Sequence, residues 1–247
     1  MICGQWSTGF LSALEQLLEN TMGESAPLAV FDADGTLWDT DANENFLSHL
    51  DANGLVHIAE NETIRQQYDR RCEQDKHSGY QWGAQVCAGL RIDQVTAWAQ
   101  DSYQKRTAPF EFEAMRSLVS RLLELQWRVM VVSASPVWTV LPGTNAFGIA
   151  PENVLALDVE RRDDRLTEHL CRPFSMGEGK VDCIQKYVGQ VPYLAAGNSL
   201  DDVPMLRMTG AMGVVVNPSG DEEDFSSLLG MAIQNDWHIL QTHSRQA

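Results

Sequence analysis

The chain has 247 residues, with 34 acidic and 18 basic side chains and a formal net charge of −16 at pH 7. Its length allows a full hydrophobic core, and 44% apolar and 21% charged residues are typical of a globular protein, which excludes disordered and fibrous classes. The acidic surface repels nucleic acid and anionic membranes, so we expect neither as a partner. An anionic substrate would need local positive charge.

Cysteine usage and hydropathy indicate the compartment. The cysteines are scattered and odd in number, which favours free thiols over a disulfide framework or a structural zinc site. Residues 7–20 carry apolar side chains at helical spacing and Glu15 among them, which predicts an amphipathic helix, not a signal peptide or membrane span. We therefore expect a cytoplasmic protein. The cysteines are Cys3, Cys72, Cys87, Cys171 and Cys183.

Short apolar runs alternate with helical patterns and predict a doubly wound parallel α/β sheet, a Rossmann-like core. Asp32, Ser133 and Asn198 each follow one of these runs within two residues. Because ligands bind beyond the carboxyl ends of such strands, we expect these three residues to converge. Alternation over residues 155–170 predicts a hairpin or flap. The predicted strands are 28–31, 129–132, 193–196 and 212–216, and the predicted helices between them are 110–125, 136–147 and 178–188.

Residues 42–107 interrupt the alternation. They contain helical patterns at 44–50 and 94–103 without a comparable strand, and the segment is too long for a plain loop. We predict an inserted helical cap at 42–107, with a core formed by residues 1–41 and 108–247. A cap over the site would exclude water from the chemistry.

The strongest local signal is Asp-Ala-Asp-Gly-Thr-Leu at residues 32–37. A carboxylate such as Asp32 can attack phosphorus when a cation shields the two negative charges from each other. Asp34 can act as acid toward the leaving oxygen and then as base toward water. Gly35 allows a sharp turn, and Thr36 offers a hydroxyl and an N–H to a phosphate oxygen. The alternative is an Asp-rich turn without catalytic function.

Three other segments carry groups that suit a phosphate site. Ser133, with the N–H of Ala134, can hold a phosphate oxygen ahead of a helix. Lys180 can neutralise a dianion. Side-chain oxygens from residues 197–202, with Asp32 and a backbone carbonyl, can complete an octahedral Mg²⁺ shell. Each also has a structural alternative: a helix cap for Ser133, a surface charge for Lys180 and a helix N-cap for 197–202.

Together these segments resemble the haloacid dehalogenase superfamily, and within it the phosphoserine-phosphatase-like branch with a helical cap. The resemblance covers residues 28–216 and is most specific in Asp-x-Asp-Gly-Thr-Leu and in Gly-Asn-Ser-x-Asp-Asp-x-x-Met. It implies that Asp32 is a nucleophile that forms an aspartyl-phosphate. Asp34 would be the general acid/base and would also give its backbone carbonyl to Mg²⁺.

The resemblance implies roles for residues outside the first motif as well. Ser133 and Lys180 would bind the phosphate, and Lys180 would also steady Asp32. Asn198 would be a metal ligand, while Asp202 would orient Lys180 or a metal-bound water.

Two features distinguish this chain within the superfamily. Asp34 argues against dehalogenation, because the dehalogenases lack this second carboxylate. The family usually has Asp at the position of Asn198, so one negative charge is missing. We expect weaker Mg²⁺ binding than in the Asp form unless Asp201 compensates.

Fewer residues in the sequence indicate the substrate than indicate the reaction. Asp41 lies where phosphoserine phosphatases carry an acidic residue that meets the substrate amine, which suggests an amine-bearing phosphomonoester. Trp38 is close to the catalytic loop, and aromatic faces can surround a quaternary ammonium group. The aromatic residues of the predicted cap are more typical of a small hydrophobic core.

We therefore predict a Mg²⁺-dependent phosphatase that acts on a small phosphorylated metabolite through an aspartyl-phosphate intermediate. Phosphotransfer to an acceptor other than water would use the same residues. A protein that binds phosphate compounds with little or no catalysis, having lost activity through Asn198, is the alternative from a different class. The oligomeric state is not encoded in any of these patterns.

Overall fold

Ten α-helices and eight strands form within residues 6–58 and 62–244, which are the parts of the chain that the computed structural model describes. The helices are α1 Thr8–Asn20, α2 Ala42–Asn53, α3 Ile64–Gln74, α4 Lys76–Gln85, α5 Ile92–Ser102, α6 Glu113–Glu124, α7 Val137–Ala146, α8 Glu178–Tyr187, α9 Val203–Met208 and α10 Glu222–Gln234. The strands are β1 Leu28–Phe31, β2 Arg128–Pro136, β3 Val154–Leu157, β4 Val159–Arg162, β5 Arg165–Leu170, β6 Leu194–Gly197, β7 Met212–Val216 and β8 His238–Leu240. Cys3 lies outside the described residues, and the other four cysteines are free thiols.

Six strands form one parallel sheet in the order β3-β2-β1-β6-β7-β8. β2 and β3 lie on one side of β1, and β6, β7 and β8 lie on the other side. The strand order therefore reverses between β1 and β6, and a ligand crevice is expected at this point. The N–H of Asp32 donates to the carbonyl of Ala196 over 2.9 Å, which ties the end of β1 to the end of β6. The predicted α/β fold class is confirmed.

The continuous apolar strands follow from burial on both faces of the sheet. Ala29 and Phe31 belong to the core on one face, while Leu28 and Val30 belong to the core on the other. All four side chains are fully buried. Burial of a large apolar side chain contributes roughly 1.5–3 kcal/mol, so β1 is held firmly at the centre of the sheet.

The structure also contains two strands that the apolar runs did not predict. β3 lies at one edge of the sheet, and the prediction merged it with the hairpin that follows. The hairpin itself is present as antiparallel β4 and β5. β8 is a three-residue edge strand with only one buried side chain, Leu240, so its sequence carries little strand pattern.

The helices α2 to α5 occupy the predicted cap segment between β1 and α6. A π-helical turn, Tyr103–Thr107, and a 3-10 turn, Ala108–Phe110, return the chain to α6. The division of the chain into a core and a separate cap stays a prediction. Within the described ranges, every helix is too short or too polar to cross a membrane.

Candidate active site

A cleft of about 380 Å³ opens at the carboxyl ends of β1, β2 and β6. Lys76 and Tyr80 of α4 contribute to its wall. Thr36, Trp38 and Asp202 are buried residues outside its lining. The predicted site residues that line the cleft are Asp32, Asp34, Asp41, Ser133, Ala134, Lys180, Asn198 and Asp201.

Lys180 joins two carboxylates beneath the cleft. Its Nζ lies 2.6 Å from Asp32 Oδ1 and 2.6 Å from Asp202 Oδ1, and the residue is only 2% exposed. Glycine makes this placement possible, because a Cβ on Gly179 would lie 1.8 Å from the carbonyl oxygen of Phe174. The alternative of a solvated surface charge is therefore wrong for Lys180.

The charges of this group are set by burial and by one another. Burial, and then repulsion from Asp202, raise the pKa of Asp32 to about 7 against the attraction of Lys180. Burial lowers the pKa of Lys180, but attraction to Asp202 and Asp32 outweighs it and leaves the pKa above its ordinary value. Lys180 thus keeps its proton. Two carboxylates share one ammonium group, and the remaining negative charge favours a cation nearby.

Asp202 connects Lys180 to the loop after β6. Its Oδ2 accepts the backbone N–H groups of Asn198 and Ser199 over 2.9 and 3.0 Å, while its Oδ1 faces Lys180. Gly197 makes room for this carboxylate, because a Cβ there would lie 2.4 Å from Asp202 Cβ. One buried side chain therefore positions both the ammonium group and the candidate metal-binding loop.

Asp34 is held by three donors. Its Oδ1 accepts from Trp38 Nε1 and from the N–H of Ala42, each over 2.7 Å, and its Oδ2 accepts from Ser135 Oγ over 2.6 Å. Burial raises the pKa of Asp34, and these hydrogen bonds oppose the rise. Ser135 was missed in the sequence, although its spacing of two from Ser133 along a strand end is a signal for a shared face.

The structure corrects the expectation that Trp38 contacts the substrate. Trp38 is fully buried, and its ring packs edge-on against Phe147 at a centroid distance of 6.3 Å. A Cβ on Gly143 would lie 2.5 Å from the same ring, so α7 packs closely on it. The contribution of Trp38 to the site is its hydrogen bond to Asp34.

Thr36 is also engaged differently from the prediction. Its hydroxyl donates to Asp32 Oδ2 over 3.0 Å, and its N–H donates to the carbonyl of Ala33 over 3.1 Å. Both groups that were expected to bind phosphate are thus used within the turn. Thr36 fixes the orientation of the Asp32 carboxylate.

Ser133 and Asp41 present polar groups to the cleft. Ser133 Oγ accepts the N–H of Ser135 over 3.1 Å, which leaves its hydroxyl free to donate to a ligand. Asp41 is the N-cap of α2 and accepts the N–H of Glu44 over 2.8 Å. Burial, followed by repulsion from Asp34 and Glu44, raises the pKa of Asp41 well above its ordinary value, so this carboxylate is poorly compensated.

The oxygens near Asn198 fit a hard divalent cation. One end of the Asn198 amide lies 3.3 Å from Asp32 Oδ2 and 3.1 Å from the carbonyl oxygen of Asp34, and the other end lies 2.8 Å from Ser219 Oγ. With the amide nitrogen inward, it donates to both oxygens. With the amide oxygen inward, three oxygens meet at spacings close to the ~3.0 Å between neighbouring ligands of octahedral Mg²⁺. A Cβ on Gly35 would lie 2.1 Å from this amide, so the approach requires glycine.

The oxygens that could bind Mg²⁺ near Asn198 carry little negative charge. Within the described ranges, no group of three or more His, Cys, Asp or Glu side chains is placed to hold a metal. Asp201, the residue that could have compensated for Asn198, forms an ion pair with Lys76 of α4. The fit to Mg²⁺ therefore depends on one carboxylate, one amide and one backbone carbonyl.

Comparison with known proteins gives the family. The model of the haloacid dehalogenase-like hydrolases matches residues 29–207, more than half of the chain. The chain belongs to this family. The resemblance drawn from the motifs is thus confirmed.

Individual relatives agree with the branch. A histidinol-phosphatase of Neisseria meningitidis serogroup C is 24% identical over 222 residues, covering 84% of this chain and 98% of the relative. A phosphorylcholine phosphatase of Pseudomonas aeruginosa is 24% identical over 215 residues, covering 72% of this chain but 61% of that protein, less than two thirds of its length. A solved apo phosphoserine phosphatase shares the fold with a TM-score of 0.56 at 15% identity, covering 89% of this chain and 94% of its own. The predicted branch and enzyme class, a phosphatase-type hydrolase, are borne out.

Replacing Lys180 tests how much its buried ammonium group contributes to the stability of the fold. We expect Lys180→Met to lower the free energy of unfolding by about 3–5 kcal/mol at neutral pH, because Asp32 and Asp202 would be left buried without a counter-charge. Lys186→Met, at an exposed position on the same helix, should change it by less than about 0.5 kcal/mol. Urea unfolding measures both. Equal stability of the two variants would contradict the buried-pair interpretation.

Proposed function

We propose that the chain is a Mg²⁺-dependent phosphatase that hydrolyses a small, amine-bearing phosphomonoester through an aspartyl-phosphate on Asp32. The observation that carries the proposal is the Asp32 carboxylate, oriented by Lys180 and Thr36 and open to a cleft that Asp34 also lines. Nucleophile and acid/base are thus adjacent without sharing a hydrogen bond. The phosphatase names of two relatives support the same reaction class.

In the first step, a carboxylate oxygen of Asp32 attacks phosphorus in line with the ester bond. The P–O bond to the alcohol breaks, and Asp34 gives a proton to the leaving oxygen. Lys180, the Ser133 hydroxyl and the Ala134 N–H hold the non-bridging oxygens of the phosphoryl group.

In the second step, Asp34 takes a proton from water, which attacks the phosphorus of the aspartyl-phosphate. The bond from phosphorus to Asp32 breaks, inorganic phosphate leaves, and the Asp32 carboxylate is regenerated. Positioning and charge neutralisation supply most of the rate in this chemistry.

The residues that would hold Mg²⁺ are Asp32, the backbone carbonyl of Asp34 and Asn198. Bound there, the ion would reduce the repulsion between a carboxylate and a phosphate dianion. The remaining negative charge around Lys180 supports this assignment. Asn198 in place of a carboxylate leads us to expect a lower affinity for Mg²⁺ than in an Asp form of the site.

We also propose that residues 42–107 act as a cap. Among the described residues, α4 contacts the core through the Lys76–Asp201 ion pair, through the stacked rings of His77 and Phe174, with centroids 3.8 Å apart, and through a hydrogen bond from Gln85 Nε2 to the carbonyl of Glu168. These contacts involve exposed or half-buried groups, so they can separate at low cost. Opening there would admit substrate, and closure would exclude water.

The charge of the cleft supports a cationic alcohol portion in the substrate. Five carboxylates line the cleft against two lysines, and the ring of Tyr80 adds an aromatic face. Repulsion from Asp34 and Glu44 outweighs the attraction of Arg65 at Asp41, and an ammonium group would relieve this repulsion. The names of the histidinol-phosphatase and phosphorylcholine phosphatase relatives are consistent with this class. The lining carboxylates are Asp32, Asp34, Asp39, Asp41 and Asp201, and the lysines are Lys76 and Lys180.

Hydrolysis of 4-nitrophenyl phosphate tests the reaction. We expect activity that requires Mg²⁺ and is abolished by EDTA, and a loss on the order of 10³-fold or more in Asp32→Asn, because the nucleophile is removed. Asp182→Asn, an exposed acid on α8, is the control and should retain full activity. Activity that survives Asp32→Asn, or persists in EDTA, would contradict the mechanism.

A substrate panel tests the cationic class. Phosphoethanolamine, phosphocholine and histidinol phosphate are compared with the neutral-alcohol ester glycerol 3-phosphate. We expect Asp41→Asn to lower kcat/KM about tenfold or more for the amine-bearing esters and to leave glycerol 3-phosphate nearly unchanged, because only the former lose a charge-assisted contact. Asn preserves the N-cap of α2. An equal loss on all esters would show that Asp41 is structural only.

A further inference from the structure

The three hydrogen bonds of Asp34 differ in what they allow its carboxyl group to do. Oδ1 accepts from Trp38 Nε1 and from the N–H of Ala42, and both partners are donors only. Oδ1 is therefore fixed as an acceptor in either protonation state. Oδ2 faces the hydroxyl of Ser135, which can donate or accept.

This difference assigns the proton to one oxygen. When Asp34 is ionised, Ser135 donates to Oδ2. When Oδ2 carries a proton, Ser135 can still donate to the remaining lone pair of Oδ2, and the proton is left to go to a leaving oxygen in the cleft. A proton on Oδ1 would face two N–H groups and is excluded by them. Oδ2 is thus the oxygen that exchanges protons with substrate and water.

The donors come from three separate parts of the chain. Ser135 lies one residue before the end of β2, Trp38 follows the catalytic turn, and Ala42 is the first residue of α2 in the proposed cap. The N–H of Ala42 is one of the unpaired donors of a helix N-terminus, which favours a carboxylate there. Trp38 is held by the close packing of Phe147 and Gly143, and Ser135 is 8% exposed. The Asp34 carboxylate therefore has little freedom to rotate.

We propose that Ser135 and Trp38 are positioning residues for proton transfer by Asp34, with Ser135 presenting Oδ2 to the leaving group. The inference rests on the proposed phosphatase function. Neither residue is required to bind the phosphoryl group or to hold Asp32, so their loss should affect proton transfer selectively.

Comparing substrates with different leaving groups shows whether a variant impairs proton transfer by Asp34. 4-Nitrophenolate leaves without protonation, whereas an alkoxide requires a general acid. Because kcat/KM reports only steps up to transfer of the phosphoryl group to Asp32, the later use of Asp34 as a base does not enter it. The test compares kcat/KM for 4-nitrophenyl phosphate with kcat/KM for the best alkyl phosphate of the panel above.

We expect Ser135→Ala and Trp38→Phe each to lower kcat/KM for the alkyl phosphate about tenfold and to change that for 4-nitrophenyl phosphate less than about twofold. Ser135→Thr, which keeps the hydroxyl, should restore the alkyl activity. Ser102→Ala is the matched control: this serine is also buried, its hydroxyl has no hydrogen-bond partner among the described residues, and both activities should be unchanged. Thermal unfolding of each variant checks that it is folded under the assay conditions.

Equal losses on both esters would overturn the inference, because they would indicate a general structural defect. No loss on either ester would overturn it as well. Failure of the proposed function looks different: it would be seen in the unsubstituted protein, as activity that does not depend on Asp32. If Ser135→Ala does not fold, Trp38→Phe together with Ser135→Thr still decides the outcome.

Discussion

The site depends on one buried ammonium group between two carboxylates. Lys180 holds Asp32 on one side and Asp202 on the other, and Asp202 in turn holds the backbone after β6 that carries Asn198. Without Lys180, two acids would be buried side by side at the centre of the sheet, which is strongly unfavourable. The same ammonium group that makes this arrangement stable also provides the charge that a phosphate would bind. Stability and function therefore rest on the same contact.

The surrounding residues follow from this constraint and from close packing. Gly35 and Gly197 stand where a Cβ would meet Asn198 or Asp202, and Gly179 stands where a Cβ would meet the carbonyl oxygen of Phe174, so the loops approach more closely than other residues would allow. The result is a cluster of oxygens with an excess of negative charge next to a cleft. We infer that a divalent cation and a phosphorylated amine together supply the missing positive charge.

Much of this arrangement could be predicted from the sequence, because apolar runs mark the buried strands and polar residues at their ends mark the crevice. The local motif could not show what Thr36 and Trp38 do, since their partners, Asp32 and Asp34, are reached only through the geometry of the turn. Ser135 was missed for a related reason: its partner Asp34 lies 101 residues away. Edge strand β8 was missed because a strand buried on one side needs few apolar residues.

The most direct measurement of the central claim is chemical identification of the phosphorylated residue. The enzyme is mixed rapidly with substrate and Mg²⁺, quenched in acid, reduced with borohydride and digested for mass spectrometry. Reduction of an aspartyl-phosphate leaves homoserine, and the account predicts homoserine at position 32 in the native protein and none in Asp32→Asn. Turnover without modification at position 32, or a phosphoryl group on another residue, would contradict it.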